Sequence, residues 1–343
     1  MAGFLVLAAD GSKIELPRTQ SHEAKFSPAK ARQRRQKKGS RRSRSRAARQ
    51  RRSRQKKADS PQIALTALHH TGLRLPWDWR IGPSDSSERD HLRDMLPDLP
   101  AKTLITAACG FVGYDFWSAL LESGHEFVIR VGGNVRLLKQ LGTVRESNGT
   151  ISLWPDKAAK RQQPPLVLRL VVVQGGRHPW YLATSVRNPR RLSDRQVAEI
   201  YRRRWGIELF FRHFKQTFGR RKLRSHKAEH AECELHWSLL GLWSMLLYAR
   251  KTLVEQGLAP TRLSVARVLR AFRRVLQQSD GEDSLKSQLS QAVIDSYSRK
   301  DKRSRGYPRK KYEPPTKAPQ ITRATKQQRQ LAQRLLTQQT KKG

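Results

Sequence analysis

The stretch YRRRWGIELFFRHFK, from Tyr201 to Lys215, sets a single carboxylate, Glu208, inside the most basic and aromatic helical segment of the chain. At about 3.6 residues per turn, Tyr201, Arg204, Glu208 and Lys215 share one face of a helix. Two readings follow. Arg204 and Glu208 form an ordinary i,i+4 ion pair, worth only about 0.2–0.5 kcal/mol. Alternatively, Glu208 holds a divalent metal while Arg204 and Lys215 hold phosphate oxygens. That chemistry needs a carboxylate in a basic cleft, because magnesium takes oxygen ligands and phosphates need cationic contacts. Trp205 is expected to pack against a sheet.

Outside this stretch, charge is the strongest signal. The 343 residues carry 70 Lys+Arg against 28 Asp+Glu, a formal charge of +42, which points to a polyanionic partner and first of all to nucleic acid. A membrane is the weaker reading, since the longest apolar run, LLGLWSMLLYA from Leu239 to Ala249, falls short of the roughly 20 residues that span a bilayer. The opening MAGFLVLAADG has no basic n-region, so no signal peptide is expected. Cys109 and Cys233 are the only cysteines and have no metal-ligand spacing; both read as reduced thiols. The resulting expectation is a cytoplasmic, nucleoid-associated protein without a membrane partner.

The charge is unevenly spread. Residues 30–57 are dense in Lys and Arg and contain no acid, which reads as a basic disordered insertion that tracks a phosphate backbone, or as an insertion with no dedicated role. Residues 299–343 read as a basic flexible tail with a short helix near Gln327 to Gln338. Between these lies a foldable order. FLVLAADGSKIEL is a strand with Asp10 at its end, a turn at Gly11 and Ser12, and a second strand. PQIALTALHHTGLRLPWDWRI supplies two more strands, and His69 and His70 are ordinary side chains near their turn. SSERDHLRDML opens a helix capped by Ser86 or Ser87. AKTLITAACGF, YDFWSALLESG and HEFVIRV give strand, helix and strand. Strands and turns then dominate until long helices begin near Ser193. In ARVLRAFRRVLQQ, Val265, Val268, Leu269, Phe272 and Leu276 form a helical stripe that caps the fold. The fold class is α/β: a mixed-sheet core over residues 1–29 and 58–131, a β-rich insertion at 132–186 and a helical completion at 187–298.

The residues at 201–215 carry a resemblance. Tyrosine, two residues, arginine, three residues, glutamate, six residues and lysine is the signature of the glutamate helix in bacterial transposases of the IS4 type, and Tyr201, Arg204, Glu208 and Lys215 meet it in full. YLATSV precedes it and GRRKLRSHKAEHAECELHWSLLGLWSMLLYA follows, so the resemblance runs from about Val6 to Ala249 without the basic tract. It implies an RNase H-like core and two aspartates and a glutamate (DDE) that bind Mg2+ or Mn2+ for phosphoryl transfer at DNA ends. Asp10 and Glu208 are then catalytic and metal-binding residues, Tyr201, Arg204 and Lys215 contact DNA, and two chains pair as a homodimer on paired ends.

Two departures qualify that implication. The family's second aspartate stands before a glycine-phenylalanine pair; here the strand reads ITAACGF and Ala108 occupies the position. The alanine side chain has no donor atom for a metal, so cleavage and strand transfer are expected to be impaired. Glu88 and Asp90 open a different helix, and Asp115 is expected to be an N-terminal helix carboxylate held by local N–H groups. The chain also starts at the strand of Asp10, whereas family members carry a preceding region for end recognition, so a truncated member is expected. The alternative is a non-enzymatic, non-specific nucleic-acid-binding protein on an inert transposase scaffold; a structural RNA-binding role rests on charge alone.

Overall fold

A computed structural model describes residues 3–36, 60–142, 146, 149–174, 178–294 and 317–340. The chain divides into two compact units, one of Met1–Ala9, Leu96–Trp205 and Ser296–Gly343, the other of Asp10–Met95 and Gly206–Asp295. Together these give a mixed α/β fold with sheet at its core.

The first unit is built on alternating apolar strands. The amino half of β1 (Leu5–Glu15) pairs in parallel with β4 (Thr103–Ala107), from Leu5↔Thr103 to Ala9↔Ala107. All five residues of β4 are buried, as expected for a parallel strand covered on both faces. Helix α4 (Tyr114–Glu122) follows, and β5 (Glu126–Val131) joins β4 in parallel. The segment expected as a β-rich insertion does not form a sheet of its own. Its β9 (Trp180–Thr184) pairs antiparallel with β5, and β8 (Leu166–Val173), β7 (Thr150–Leu153) and β6 (Arg136–Lys139) continue outward in that order. A short α5 (Asp156–Lys160) connects β7 and β8. Helix α6 (Asp194–Arg203) starts with a complete capping box between Ser193 and Gln196, and its Val197, Ala198, Ile200 and Tyr201 enter a core with Phe4, Val6, Leu104 and Val128.

In the tail, the short helix expected near Gln327 to Gln338 is present, and a strand not foreseen in the sequence precedes it. Residues 317–340 return to the first unit: β10 (Gln320–Arg323) pairs in parallel with β6, and helix α11 (Lys326–Thr340) follows with Ala332 and Leu335 buried. Backbone bonds from Gln320 N to Val135 O at 2.9 Å and from Ala324 N to Lys139 O at 3.0 Å frame this edge. Ladder bonds of this kind do not depend on side-chain polarity, which is why a basic, Gln-rich sequence concealed them. Residues 299–316 and 341–343 lie outside the described residues.

In the second unit, β1 runs on without the expected turn at Gly11 and Ser12, and Asp10 is therefore within a strand, not at its end. Strands β2 (Gln62–His70) and β3 (Leu75–Gly82) form an antiparallel hairpin with an irregularity between Leu68 and His69. Helices α1 (Gln20–Phe26) and α2 (Ala29–Gln36) lie between β1 and β2. The first residues of the tract expected to be disordered, from Lys30 to Gln36, are thus helical; residues 37–57 lie outside the described residues. Helix α3 (Glu88–Met95) follows β3, and Ser87 Oγ accepts from Asp90 N at 3.3 Å. After α7 (Trp205–Arg212) and one π-helical turn at His213–Thr217 comes α8 (Ala228–Glu255), which buries Leu235, Leu239, Leu242, Leu246 and Leu253 on one side. Among the described residues no helix is long and apolar enough to cross a membrane. Helices α9 (Val265–Gln278) and α10 (Glu282–Ser290) complete the unit. Val268 and Leu269 are buried as expected, but Leu276 is 78 % exposed.

Candidate active site

The sequence-derived residues distribute over both units. Asp10 continues β1 directly from Ala9, and its Oδ1 accepts from Gly11 N at 2.9 Å. Beside it in the second unit is Glu88, from the first turn of α3. A Cβ placed on Gly11 would come within 2.0 Å of Glu88 Oε1, so glycine is what admits this carboxylate. Partial burial pushes the Glu88 carboxyl above its ordinary range, the Asp10 charge adds to this, and Lys13 works against it.

Ala108 follows Ala107, whose register partner on β1 is Ala9. It stands at the start of a single 3-10 turn over Cys109–Phe111, where Phe111 N donates to Ala108 O at 3.1 Å. The backbone of Ala108 is extended, with φ −77° and ψ 176°. Asp115 is in the first turn of α4, as expected.

The helical run that holds Tyr201, Arg204, Glu208 and Lys215 passes from α6 to α7 through Arg204, which keeps helical dihedrals and donates its N–H to Ile200 O at 3.2 Å, and changes to a π turn at His213. In the first unit Tyr201 is buried, with the Trp180 ring edge-on at 5.7 Å, and the Arg204 guanidinium lies 5.4 Å from the Tyr201 ring centre. Trp205 was expected to pack against the sheet but is 57 % exposed.

In the second unit Glu208 is half-buried in the first turn of α7. Phe218 N donates to His213 O at 3.0 Å, a five-residue step that widens the turn carrying Lys215. Burial pulls the Lys215 ammonium below its ordinary pKa, Arg221 adds to this, and Glu15 opposes it. Arg221 Nε donates to Glu15 Oε1 at 3.2 Å.

The chain after the π turn was missed as a structural element. Residues 219–227, GRRKLRSHK, run beside the carboxyl end of β1: Glu15 N donates to Arg221 O at 2.9 Å and Leu223 N to Glu15 O at 3.0 Å. Glu234 of α8 fastens this basic loop. It accepts from Ser225 N at 2.9 Å, Ser225 Oγ at 2.8 Å, Arg224 N at 3.0 Å and Arg220 Nη1 at 3.1 Å. Burial alone would raise the Glu234 pKa, but the Ser225 and Arg224 bonds and the Arg220 charge outweigh it and hold the carboxyl below its ordinary range. The sequence signal for Glu234 was an acid about two helical turns beyond a run of cations. Glu88 gave none, because its closeness to Asp10 depends on how β1 and α3 pack.

These features put an acid, Asp10, on β1 and a glutamate, Glu208, followed by basic turns, on a helix. The pattern of the family described as Transposase DDE domain matches residues 2–243. The chain belongs to this transposase DDE family. A curated relative, the transposase InsG for insertion sequence element IS4 from Escherichia coli (strain K12), is 25% identical over 233 residues, covering 64% of this chain. The chain spans about half of that transposase, 52% of its length. Among solved structures, the piggyBac transposase synaptic complex with hairpin DNA aligns over 88% of this chain and 60% of its own, at 12% identity and a TM-score of 0.43.

The divalent metal that the resemblance to transposases implies needs grouped oxygen donors. Among the described residues no group of three or more His, Cys, Asp or Glu is arranged to hold a metal ion, and the Ala108 side chain offers no donor atom. The residues present therefore do not make a three-carboxylate centre.

Proposed function

We propose that this transposase-family chain binds DNA through its basic surfaces while its cleavage and strand-transfer chemistry is impaired. The observation that carries the reading is Ala108. It directly follows the register pair Ala9↔Ala107, at the strand position where the family has its second aspartate. Its methyl group cannot ligate Mg2+ or Mn2+, and no carboxylate substitutes from the same turn, since Cys109, Gly110 and Phe111 complete it. Asp10 and Glu208 remain as the acids of an RNase H-like site, and two carboxylates alone leave a divalent metal without its third acidic ligand.

On this reading Lys215 and the Glu234-fastened loop supply phosphate contacts, because cationic side chains and N–H groups hold a DNA backbone without reading its sequence. Arg204, lying over Tyr201, acts with it to position DNA or to shape the helix start, and two chains pair on paired ends. The test uses the full chain with duplex DNA carrying the flanking sequences of its gene, with Mg2+ and separately with Mn2+. Retardation of the DNA without nicking is expected. Metal-dependent nicking by the natural chain would overturn the impairment.

A further inference from the structure

Beyond the family match, which ends at residue 243, the second unit carries a cavity that the proposed site does not use. It measures about 830 Å3 between α9 and α10 and is lined by Arg267, Arg270, Arg273 and Arg274 together with Gln288 and Gln291. Helix α9, VARVLRAFRRVLQQ, holds these four arginines without one acid. Like charges three and four residues apart disfavour a helix, so the arrangement works against folding unless something neutralises it. Burial of Val268, Leu269 and Val275 away from the cavity keeps the helix in place and turns the guanidinium groups outward.

The arginines do not have equal duties. Arg267 Nη1 donates to the backbone oxygens of Gln291 and Val293, both at 3.1 Å, and so ties α9 to the end of α10. Arg270, Arg273 and Arg274 are exposed, and among the described residues none of them is ion-paired. The volume suits a segment of polymer or a drug-sized molecule more than a single ion. Its lining is guanidinium and amide over Ala271, without the aromatic or aliphatic anchors that mark a protein interface.

We propose that the α9–α10 cavity is a docking site for the sugar-phosphate backbone of duplex DNA. It is separate from the chemistry of Asp10 and Glu208 and indifferent to base sequence. Arg270, Arg273 and Arg274 offer planar forks that match phosphate oxygens, the glutamine amides add neutral donors, and Arg267 braces the wall. This rests on the reading of DNA as the partner of the chain.

The test measures affinity of the full chain for duplex DNA as a function of salt, for the natural chain and for R270Q/R273Q/R274Q. A control, K157Q/K160Q/R161Q, removes three exposed charges at α5. With about 0.9 of salt slope per phosphate contact, the α9 variant is expected to flatten the slope by about 2–3 and to weaken binding at least about 10-fold at moderate salt. The control should change both far less. R270K/R273K/R274K should keep most of the slope while losing part of the affinity. In the natural chain, bound DNA should also protect these three arginines from phenylglyoxal, read by mass spectrometry, which requires no folded variant. Equal, small losses in the α9 variant and the control, or no protection while DNA is bound, would overturn the cavity assignment alone. Failure of the natural chain to bind DNA at any salt would remove both this proposal and the DNA reading beneath it.

Discussion

At Gly11 and His69, local packing in the second unit sets the charge of a titratable group, Glu88 in one case and His69 itself in the other. Glu88 reaches Asp10 only across a glycine, and the atom it presents is the far end of a flexible side chain. Gly11→Ala is therefore expected to displace the carboxylate at a stability cost below about 1 kcal/mol, within the range of surface substitutions. The Glu88 titration followed by NMR should then fall toward the ordinary carboxylate range. An unchanged titration would show that Asp10 and burial do not act through this contact. His69 was read as an ordinary residue near a turn, but it is buried against Phe210 with ring centres 5.8 Å apart, and Gly206 leaves room for it. Burial lowers its pKa to about 3, with Arg250, His70 and Arg74 contributing in the same direction and a backbone bond to Arg74 opposing. Between the unfolded value near 6.5 and the folded value near 3, the unfolded chain binds the extra proton, so stability rises with pH and is lost on acidification. Roughly 2 kcal/mol should disappear between pH 7 and pH 5 from this group, and His69→Gln should flatten that part of the profile in urea unfolding. Parallel profiles would contradict the assignment.

At the scale of elements, most of the order was legible because apolar alternation and buried runs are local signals. β4, α4, β5 and the capped start of α6 fall where the sequence placed them. Ser193→Ala should lower stability by about 1 kcal/mol, since the box satisfies two backbone N–H groups at the helix start, and thermal unfolding checks it. The failures were of another kind. Asp-Gly at 10–11 favours a turn, but pairing carried β1 through it as one strand of 11 residues. The face shared by Tyr201, Arg204, Glu208 and Lys215 assumed uniform helix; the π turn at His213, which carries Lys215, departs from α geometry in a way residue spacing does not encode. The Glu234 clasp was equally hidden, because its partners are backbone N–H groups whose positions the fold decides. Glu234→Ala should detach the 219–227 loop, with a loss of about 1–3 kcal/mol and faster proteolysis within the loop. Because the folded Glu234 pKa is depressed, its contribution is present above the unfolded carboxylate pKa and fades as pH falls through the folded one. Unaltered proteolysis would show that the loop is held by other contacts.

For the whole molecule, a charge of +42 and the transposase DDE domain match meet on the same expectation of a DNA partner. The family was readable from a few polar positions at fixed spacing, because catalytic side chains tolerate little change of type. The candidate site was readable only in part. Asp10 and Glu208 could be named from their contexts, whereas Glu88 and the π-turn setting of Lys215 needed tertiary structure. Ala108 is the position on which the functional reading turns. The most direct measurement is metal-dependent nicking of duplex DNA by Ala108→Asp beside the natural chain, with Glu208→Gln added to each. The account predicts nicking only in Ala108→Asp, abolished by Glu208→Gln. Nicking by the natural chain that depends on Glu208 would contradict it and place the missing ligand elsewhere in the fold.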